Sequence, residues 1–356
     1  MQFYDAVLVL SFGGPESPDE VRPFLEHVTR GRGIPAERLD EVATHYLARG
    51  GVSPINGQVR ALLAALTERF SARGAEVPLY WGNRNSQPWL VDALRQIHAD
   101  GHRRVLTLLT SAFPSYSGCR QYRENLHDAC AEGGIDLEID VMPAYGEHDG
   151  FVTANVDAVR DALEGFDEPA HIAFVTHSIP EAMAAASGPT EADAYNDSHL
   201  AVAERIVDAL EPDRIAAWSL VYCSRSGPPH QPWLEPDIND HLRALADAGV
   251  TRVVMVPVGF ISDHMEVLND LDEEAMETAT ELGLQARRAG TVGTHPAFVD
   301  ALIELVFAQD AAASRQQPFT GPGRAWRASE RCSAGCCANL RDPGKAAMAE
   351  RSGAVF

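Results

Sequence analysis

Lysine is nearly absent. Lys345 is the only one in 356 residues, and arginine supplies the remaining basic side chains. We read that bias as base composition of the genome, without functional meaning. Positive charge is scarce altogether: 29 basic residues face 51 acidic ones, for a net charge of −22. A chain this acidic is not expected to bind nucleic acid in general. No apolar run reaches the roughly 18 residues of a membrane span. The start, Met1-Gln2-Phe3-Tyr4-Asp5, has neither a basic region nor a small-residue cleavage site. A secretory signal is therefore not expected, and the cytoplasm is the expected compartment. Six cysteines are too few for a disulfide scaffold at this length. Neither the dinucleotide fingerprint nor the Walker loop occurs. Ser178 lacks the flanking glycines of a nucleophile elbow, which weakens a serine-hydrolase reading.

Apolar residues make up 45% of the chain, enough for ordinary cores. Short apolar runs alternate with helical patterns. Strands are predicted at Ala6–Phe12, Pro78–Gly82, Arg104–Leu109, Leu137–Met142, His171–Thr176, Ile215–Tyr222 and Arg252–Val258. Helices are predicted at Pro18–Thr29, Ala36–Ala48, Asn56–Ser71, Pro88–Ala99, Cys119–Glu132, Val152–Glu164, Asp197–Leu210, Asp237–Ala248, Glu266–Leu282 and His295–Ala311. Connections too long for hairpins imply parallel pairing, hence an α/β protein with about four strands in each half. We expect two doubly wound domains, 1–145 and 146–295, then a terminal helix at 296–312 and a linker with a cysteine-containing tail at 313–356. In such folds ligands bind beyond the carboxyl ends of the strands.

Four groups could carry chemistry. Asp263, His264 and Glu266 follow a predicted strand. Glu266, Asp270 and Glu274 then recur at i, i+4 and i+8 and share a helix face, with Glu273 and Glu277 beside it. That face is either a solvated acidic stripe or a carboxylate track for a divalent cation, which one imidazole would tilt toward iron. His177 ends a strand before a Pro-containing turn, a place suited to proton transfer, although a structural histidine is equally at home there. The loops Ser11-Phe12-Gly13-Gly14-Pro15 and Gly50-Gly51-Val52-Ser53-Pro54 permit close backbone approach to a flat or anionic ligand. Arg22, Arg30, Arg32, Arg38 and Arg49 crowd the first fifty residues, as plain surface charge or as an anion-binding zone. Cys332, Cys336 and Cys337 cluster near the end. Zinc or an iron–sulfur cluster would need a fourth ligand from Cys119, Cys130 or Cys223.

Together these segments resemble the ferrochelatases. The resemblance rests on Ser11-Phe12-Gly13-Gly14-Pro15-Glu16, Gly51-Val52-Ser53-Pro54-Ile55, Thr176-His177-Ser178-Ile179-Pro180 and Gln231-Pro232-Trp233-Leu234-Glu235-Pro236. Strongest is Ser262-Asp263-His264-Met265-Glu266-Val267-Leu268, similar to the family's Ser-Asp-His-x-Glu-x-Leu. The likeness runs over about residues 4–310. It implies Fe²⁺ insertion into a porphyrin held in a cleft between two Rossmann-like domains. His177 and Glu266 would form the central pair, as iron ligands or as acceptors of pyrrole protons. His264 and Asp263 would stand behind them, and Asp270 and Glu274 would continue the metal path. Some bacterial members carry Tyr where this chain has Phe12, so Phe12 can stack on the macrocycle but offers no phenolate.

The style of the motifs and the tail resemble actinobacterial members, which implies coproporphyrin III as substrate. The product, coproheme, would pass to a decarboxylating enzyme. Protoporphyrin IX, a cobalt or nickel chelatase, and a non-catalytic porphyrin- or metal-binding protein are the alternatives. The polar stretch Arg30-Gly31-Arg32-Gly33-Ile34-Pro35 suits a soluble, four-carboxylate porphyrin. Its contacts are expected among Arg30, Tyr46, Arg49, Ser53, Arg120 and Tyr122. The resemblance also implies a 2Fe–2S cluster on Cys332, Cys336, Cys337 and Cys119, the last following Pro114-Ser115-Tyr116-Ser117-Gly118 as in cluster-bearing members. The tail spacing, Cys-x3-Cys-Cys, departs from the family's best-known pattern. Nothing in the sequence calls for more than a monomer.

Overall fold

Strand β1 (Ala6–Ser11), with the sequence Ala-Val-Leu-Val-Leu-Ser, is buried along its whole length. A strand covered on both faces carries such an unbroken apolar run because neither side meets water. A computed structural model describes residues 1–31, 33–188, 193–227, 230–315 and 335–348. In it, β1 pairs in parallel with β2 (Leu79–Asn83) on one side and β3 (Arg104–Leu109) on the other, Val9 lying opposite both Trp81 and Leu108. β4 (Glu138–Val141) extends the sheet beyond β3. The second sheet repeats the plan. β5 (Ala170–His177) is central, β6 (Ile215–Cys223) lies on one side, and β7 (Arg252–Val256) then β8 (Gln285–Arg288) on the other. Every pairing is parallel, so the orders β2-β1-β3-β4 and β6-β5-β7-β8 require crossovers through helices.

Those crossovers are α1 (Pro18–Val28), α2 (Ala36–Ala48), α3 (Ile55–Ala72), α4 (Leu90–Ala99) and α5 (Gln121–Gly133) in the first half. α6 (Asp149–Leu163), α7 (Glu181–Ala185), α8 (Ala194–Asp208) and α9 (Ile238–Asp247) serve the second. Three short pieces follow β7: α10 (Met265–Val267), a wide π-helix over Leu268–Ala275, and α11 (Met276–Glu281). The last helix, α12 (Pro296–Ser314), packs on α6 and on α3. Its buried Asp310 accepts hydrogen bonds from the backbone N–H groups of Gln2, Phe3 and Tyr4, at 2.7, 3.0 and 2.9 Å. That carboxylate fastens the end of the fold to the start of β1.

Both sheets change winding direction beside their central strand. The next strand in sequence is added on one side and the one after it on the other, which opens a crevice past the carboxyl ends of β1 and β5. Phe12 and Gly13 leave β1 at that edge, and His177 ends β5 at the same edge of its own sheet.

The sequence reading needs three corrections here. The acidic segment Glu266–Leu282 is not one α-helix but α10, the π-helix and α11 in succession. The segment before α5 begins as another wide turn, Tyr116–Arg120, which holds Cys119. β8 and α7 were not expected. Their four and five residues are too short to show a period, and β8 alternates between exposed and half-buried positions at a sheet edge.

Candidate active site

The sharpest feature lies where β5 and the loop after β7 converge. His177 Nε2 stands 3.6 Å from Glu266 Oε2, and His264 Nδ1 lies 4.0 Å from the same oxygen. Gly259 makes the approach possible. A Cβ at that position would sit 2.1 Å from Thr176 Oγ1, so only glycine lets the exit from β7 lie against the end of β5. His264 caps α10, its Nδ1 accepting from Val267 N at 3.4 Å, and its ring meets Phe260 edge-on at 5.0 Å. Burial holds the pKa of His264 below its ordinary value, against the pull of Glu266.

His177 is held from behind. The hydroxyl of buried Tyr195 donates to the His177 carbonyl at 2.8 Å, and Thr176 Oγ1 lies 2.8 Å from that hydroxyl and 2.9 Å from Nε2 of buried His199. Nδ1 of His177 is hydrogen-bonded to the carbonyl oxygen of Ser178. A carbonyl only accepts, so Nδ1 carries the proton and the lone pair of neutral His177 lies on Nε2, toward Glu266.

The wide helix continues from Glu266. Asp270 accepts from Ser224 Oγ and, at 3.2 Å, from Asn269 Nδ2, which also donates to Glu274 at 2.9 Å. Burial, helped by the charges of Glu266 and Glu274, pushes Asp270 up to about 6. Asp263 donates its N–H to Gln58 at 2.9 Å, and its carboxylate pairs with Arg288 at 3.0 Å. Among the described residues, no three His, Cys, Asp or Glu side chains converge to hold an ion. The acidic side chains form a line rather than a cage.

The expected porphyrin contacts divide. Phe12 is half-buried at the crevice, its ring 6.3 Å from Phe24, and Tyr46 leans on the other side of Phe24 at 6.0 Å. Burial, with the charge of Glu266 nearby, pushes the Tyr46 phenol up. Ser53 is buried against Gly14, with its N–H on the Pro15 carbonyl at 2.8 Å. Arg30 is exposed after α1. Arg49 reaches across to the wide helix, pairing with Glu273 at 2.7 Å and donating to the Leu268 carbonyl at 3.1 Å. Tyr122 is buried under the guanidinium of Arg84, 4.7 Å from its ring. The Arg120 side chain is buried against Glu124 at 3.3 Å and donates to the Lys345 carbonyl at 2.8 Å, which ties it to the tail. Arg22 pairs with Glu26 and Asp40, and Arg38 with Glu41, which is the surface-charge reading of those two. Arg32 lies outside the described residues.

Arg84 escaped the sequence reading. It leaves β2 directly, at the carboxyl edge of a parallel sheet, and that position was the available signal. Its guanidinium sits 5.6 Å from the Phe12 ring, with Nε buried and, among the described residues, without a hydrogen-bond partner.

Cys119, Cys336 and Cys337 pack into one buried group. The sulfurs of Cys336 and Cys337 are 3.9 Å apart, and Gly188 N donates to Cys337 Sγ at 3.2 Å. Cys130 and Cys223 are buried elsewhere, Cys130 among the helices of the first sheet and Cys223 under the second. Cys332 lies outside the described residues.

The model of the family described as Ferrochelatase matches residues 4–310. A protein of Streptomyces coelicolor named coproporphyrin III ferrochelatase is 54% identical over 351 residues, covering 94% of this chain and 93% of its own. One of the same name from Streptomyces griseus is 52% identical over 349 residues, with the same coverage. A Rhodopirellula baltica protein named ferrochelatase is 45% identical over 339 residues, covering 94% and 93%. Among solved structures, SirB from Bacillus subtilis with Fe³⁺ superimposes with a TM-score of 0.54 at 12% identity, over 88% of this chain and 98% of that one. A sirohydrochlorin chelatase from Bacillus subtilis subspecies spizizenii, in complex with cobalt, gives 0.52 at 12%, with the same coverage. At that identity the likeness is one of fold.

Proposed function

The chain belongs to the ferrochelatase family, and from that premise we propose that it inserts Fe²⁺ into coproporphyrin III, giving coproheme and two protons. The observation that carries the site assignment is the pairing of His177 Nε2 with Glu266 at 3.6 Å. Insertion exchanges two pyrrole N–H protons for the metal, so a base must face the ring centre. With its proton fixed on Nδ1, His177 offers the Nε2 lone pair to a pyrrole proton. The imidazolium that forms lies against the Glu266 carboxylate, which stabilises it. Iron, a substrate here, reaches the pair along Glu274 and Asp270. Carboxylates strip water from a divalent cation stepwise, and an open line releases it where a closed cage would retain it. Phe12 gives the macrocycle an apolar face from the other side.

Coproporphyrin III has four carboxylates, and the relatives bearing its name are about half identical to this chain. Arg30, Tyr46, Arg49, Ser53 and Tyr122 are the proposed contacts for those groups, with Arg84 added on its position beside Phe12 and Tyr122. A later decarboxylating enzyme in the cytoplasm would consume coproheme. No described helix is long and apolar enough to cross a membrane.

A 2Fe–2S cluster on Cys119, Cys332, Cys336 and Cys337 belongs to the same proposal. Two thiolates on one tetrahedral ion at about 2.3 Å lie about 3.8 Å apart, and the spacing of Cys336 and Cys337 fits that. An all-sulfur donor set with a backbone N–H on one sulfur suits iron–sulfur chemistry, which is electron storage. Proton transfer at His177 does not require it.

The test is anaerobic Fe²⁺ insertion followed by absorbance. His177→Ala and Glu266→Gln should each lower the rate by about a hundred- to ten-thousand-fold. Their side chains are 32% and 55% exposed, so both variants should melt with the wild type. Wild-type turnover in both variants would remove the site assignment.

A further inference from the structure

Arg288 ends β8, opposite Met255 of β7, at the crevice edge of the second sheet. Its half-buried guanidinium is shared between two carboxylates. Nη1 and Nη2 reach Asp263 at 3.0 and 3.4 Å, while Nε and Nη2 reach Asp272 at 2.6 and 3.0 Å. Asp263 opens the segment that carries Glu266, and Asp272 lies midway along the wide helix that follows. One planar cation thus fastens both ends of a ten-residue stretch with Glu266 inside it.

The same contacts sort the charges of the wide helix, which holds Asp270, Asp272, Glu273 and Glu274. Asp272 is neutralised by Arg288 and Glu273 by Arg49. Among the described residues, Asp270 and Glu274 meet neutral donors, Ser224 and Asn269, and no arginine pairs with either. From the first half of the chain, Gln58 accepts the Asp263 N–H at 2.9 Å and steadies the near end of the clamp.

We infer that Arg288 is a positioning residue for metal delivery: by bridging Asp263 and Asp272 it holds Glu266 in line with Asp270 and Glu274. The inference rests on the iron-insertion reading of the same site. Lysine keeps the charge but has no planar fork, so it cannot hold two carboxylates in one plane. Porphyrin contacts lie elsewhere, on Phe12, Tyr46 and Ser53, and should be indifferent to the change.

Steady-state insertion should be measured with iron and porphyrin varied separately, alongside porphyrin affinity by fluorescence quenching. Arg288→Lys and Arg288→Gln should lower kcat/KM for iron about 10- to 100-fold, a loss in the range of a misplaced reacting group. Porphyrin affinity should stay within twofold of wild type. Asp272→Asn, which cuts only the far end of the clamp at a more exposed position, should move iron kcat/KM in the same direction by a smaller factor. It also decides the matter if the Arg288 variants do not fold. Unchanged iron kinetics in the folded variants would overturn the inference. So would an equal loss of porphyrin affinity, because Arg288 would then support the fold at large. A wild-type chain that inserts no iron would instead remove the function on which the inference stands.

Discussion

At the scale of single residues, the second sheet buries two imidazoles that must stay neutral. Burial, then the neighbouring His241, lowers His171 to about 4, and burial lowers His199 to about 3 despite its bond to the Tyr195 carbonyl. An unfolded histidine titrates near 6.5. The unfolded chain therefore takes up protons first as pH falls below about 6.5, and stability drains away from there down to about 4 for His171 and about 3 for His199. It is fully present above 6.5. Thermal denaturation between pH 7.5 and 4.5 should show this acid limb, and His171→Gln should flatten it. A wild-type melting temperature constant down to pH 4.5 would contradict the assignment of neutral imidazoles. The residue scale is also where reading the sequence succeeded unevenly. His177 and Glu266 were legible because each stands in a motif at the end of a strand. Arg288 was not, since an isolated arginine reveals little until the fold shows which carboxylates it faces, and Arg84 offered only its place directly after a strand. The partners of Arg120 were not legible either: they are Glu124 and the carbonyl of Lys345, the latter 225 positions away.

Among elements, the wide helix over Leu268–Ala275 is the one whose geometry matters most. A pattern of acids at every fourth residue reads as an α-helix, and i to i+5 bonding leaves no mark in such a pattern. Deleting Asn269 should return the segment to α-helical winding and remove the amide that bridges Asp270 and Glu274. The expected result is a rise of about tenfold in iron KM with porphyrin affinity intact. Equal iron KM would mean that the line needs no wide turn. The segment from Tyr116 through α5 is the second such element. Buried Glu124 accepts from Arg120, from Tyr116 at 3.1 Å and from Asn339 of the tail at 3.1 Å. Glu124→Ala removes the carboxylate beside a buried arginine and should cost about 3–5 kcal/mol in urea unfolding. A loss under 1 kcal/mol would show that the tail contacts contribute little. Strands such as β1, β3 and β5 were legible because runs like Ala-Val-Leu-Val-Leu have one stable home, between two helical layers. β8 was not, being an edge strand of Gln-Ala-Arg-Arg.

On the scale of the whole molecule, two parallel sheets bring their switch points to one crevice, and the tail returns to the wall beside it. The parallel α/β plan could be read from alternation alone. The meeting of the two crevices could not, because it depends on long-range contacts between the halves, such as Arg49 with Glu273 and Gln58 with the N–H of Asp263. The tail adds a test of its own. If the proposed cluster is present, Cys119→Ser should abolish its visible absorbance in protein purified without oxygen, and Cys130→Ser should retain it, since Cys130 is packed among Leu94, Leu126 and Ile139. The reverse pattern would move the internal ligand. The most direct measurement is anaerobic Fe²⁺ insertion into coproporphyrin III and protoporphyrin IX, compared by kcat/KM. The account predicts rapid insertion into coproporphyrin III and a preference for it of at least about tenfold. Preference for protoporphyrin IX, or porphyrin binding without insertion of iron into either, would contradict it.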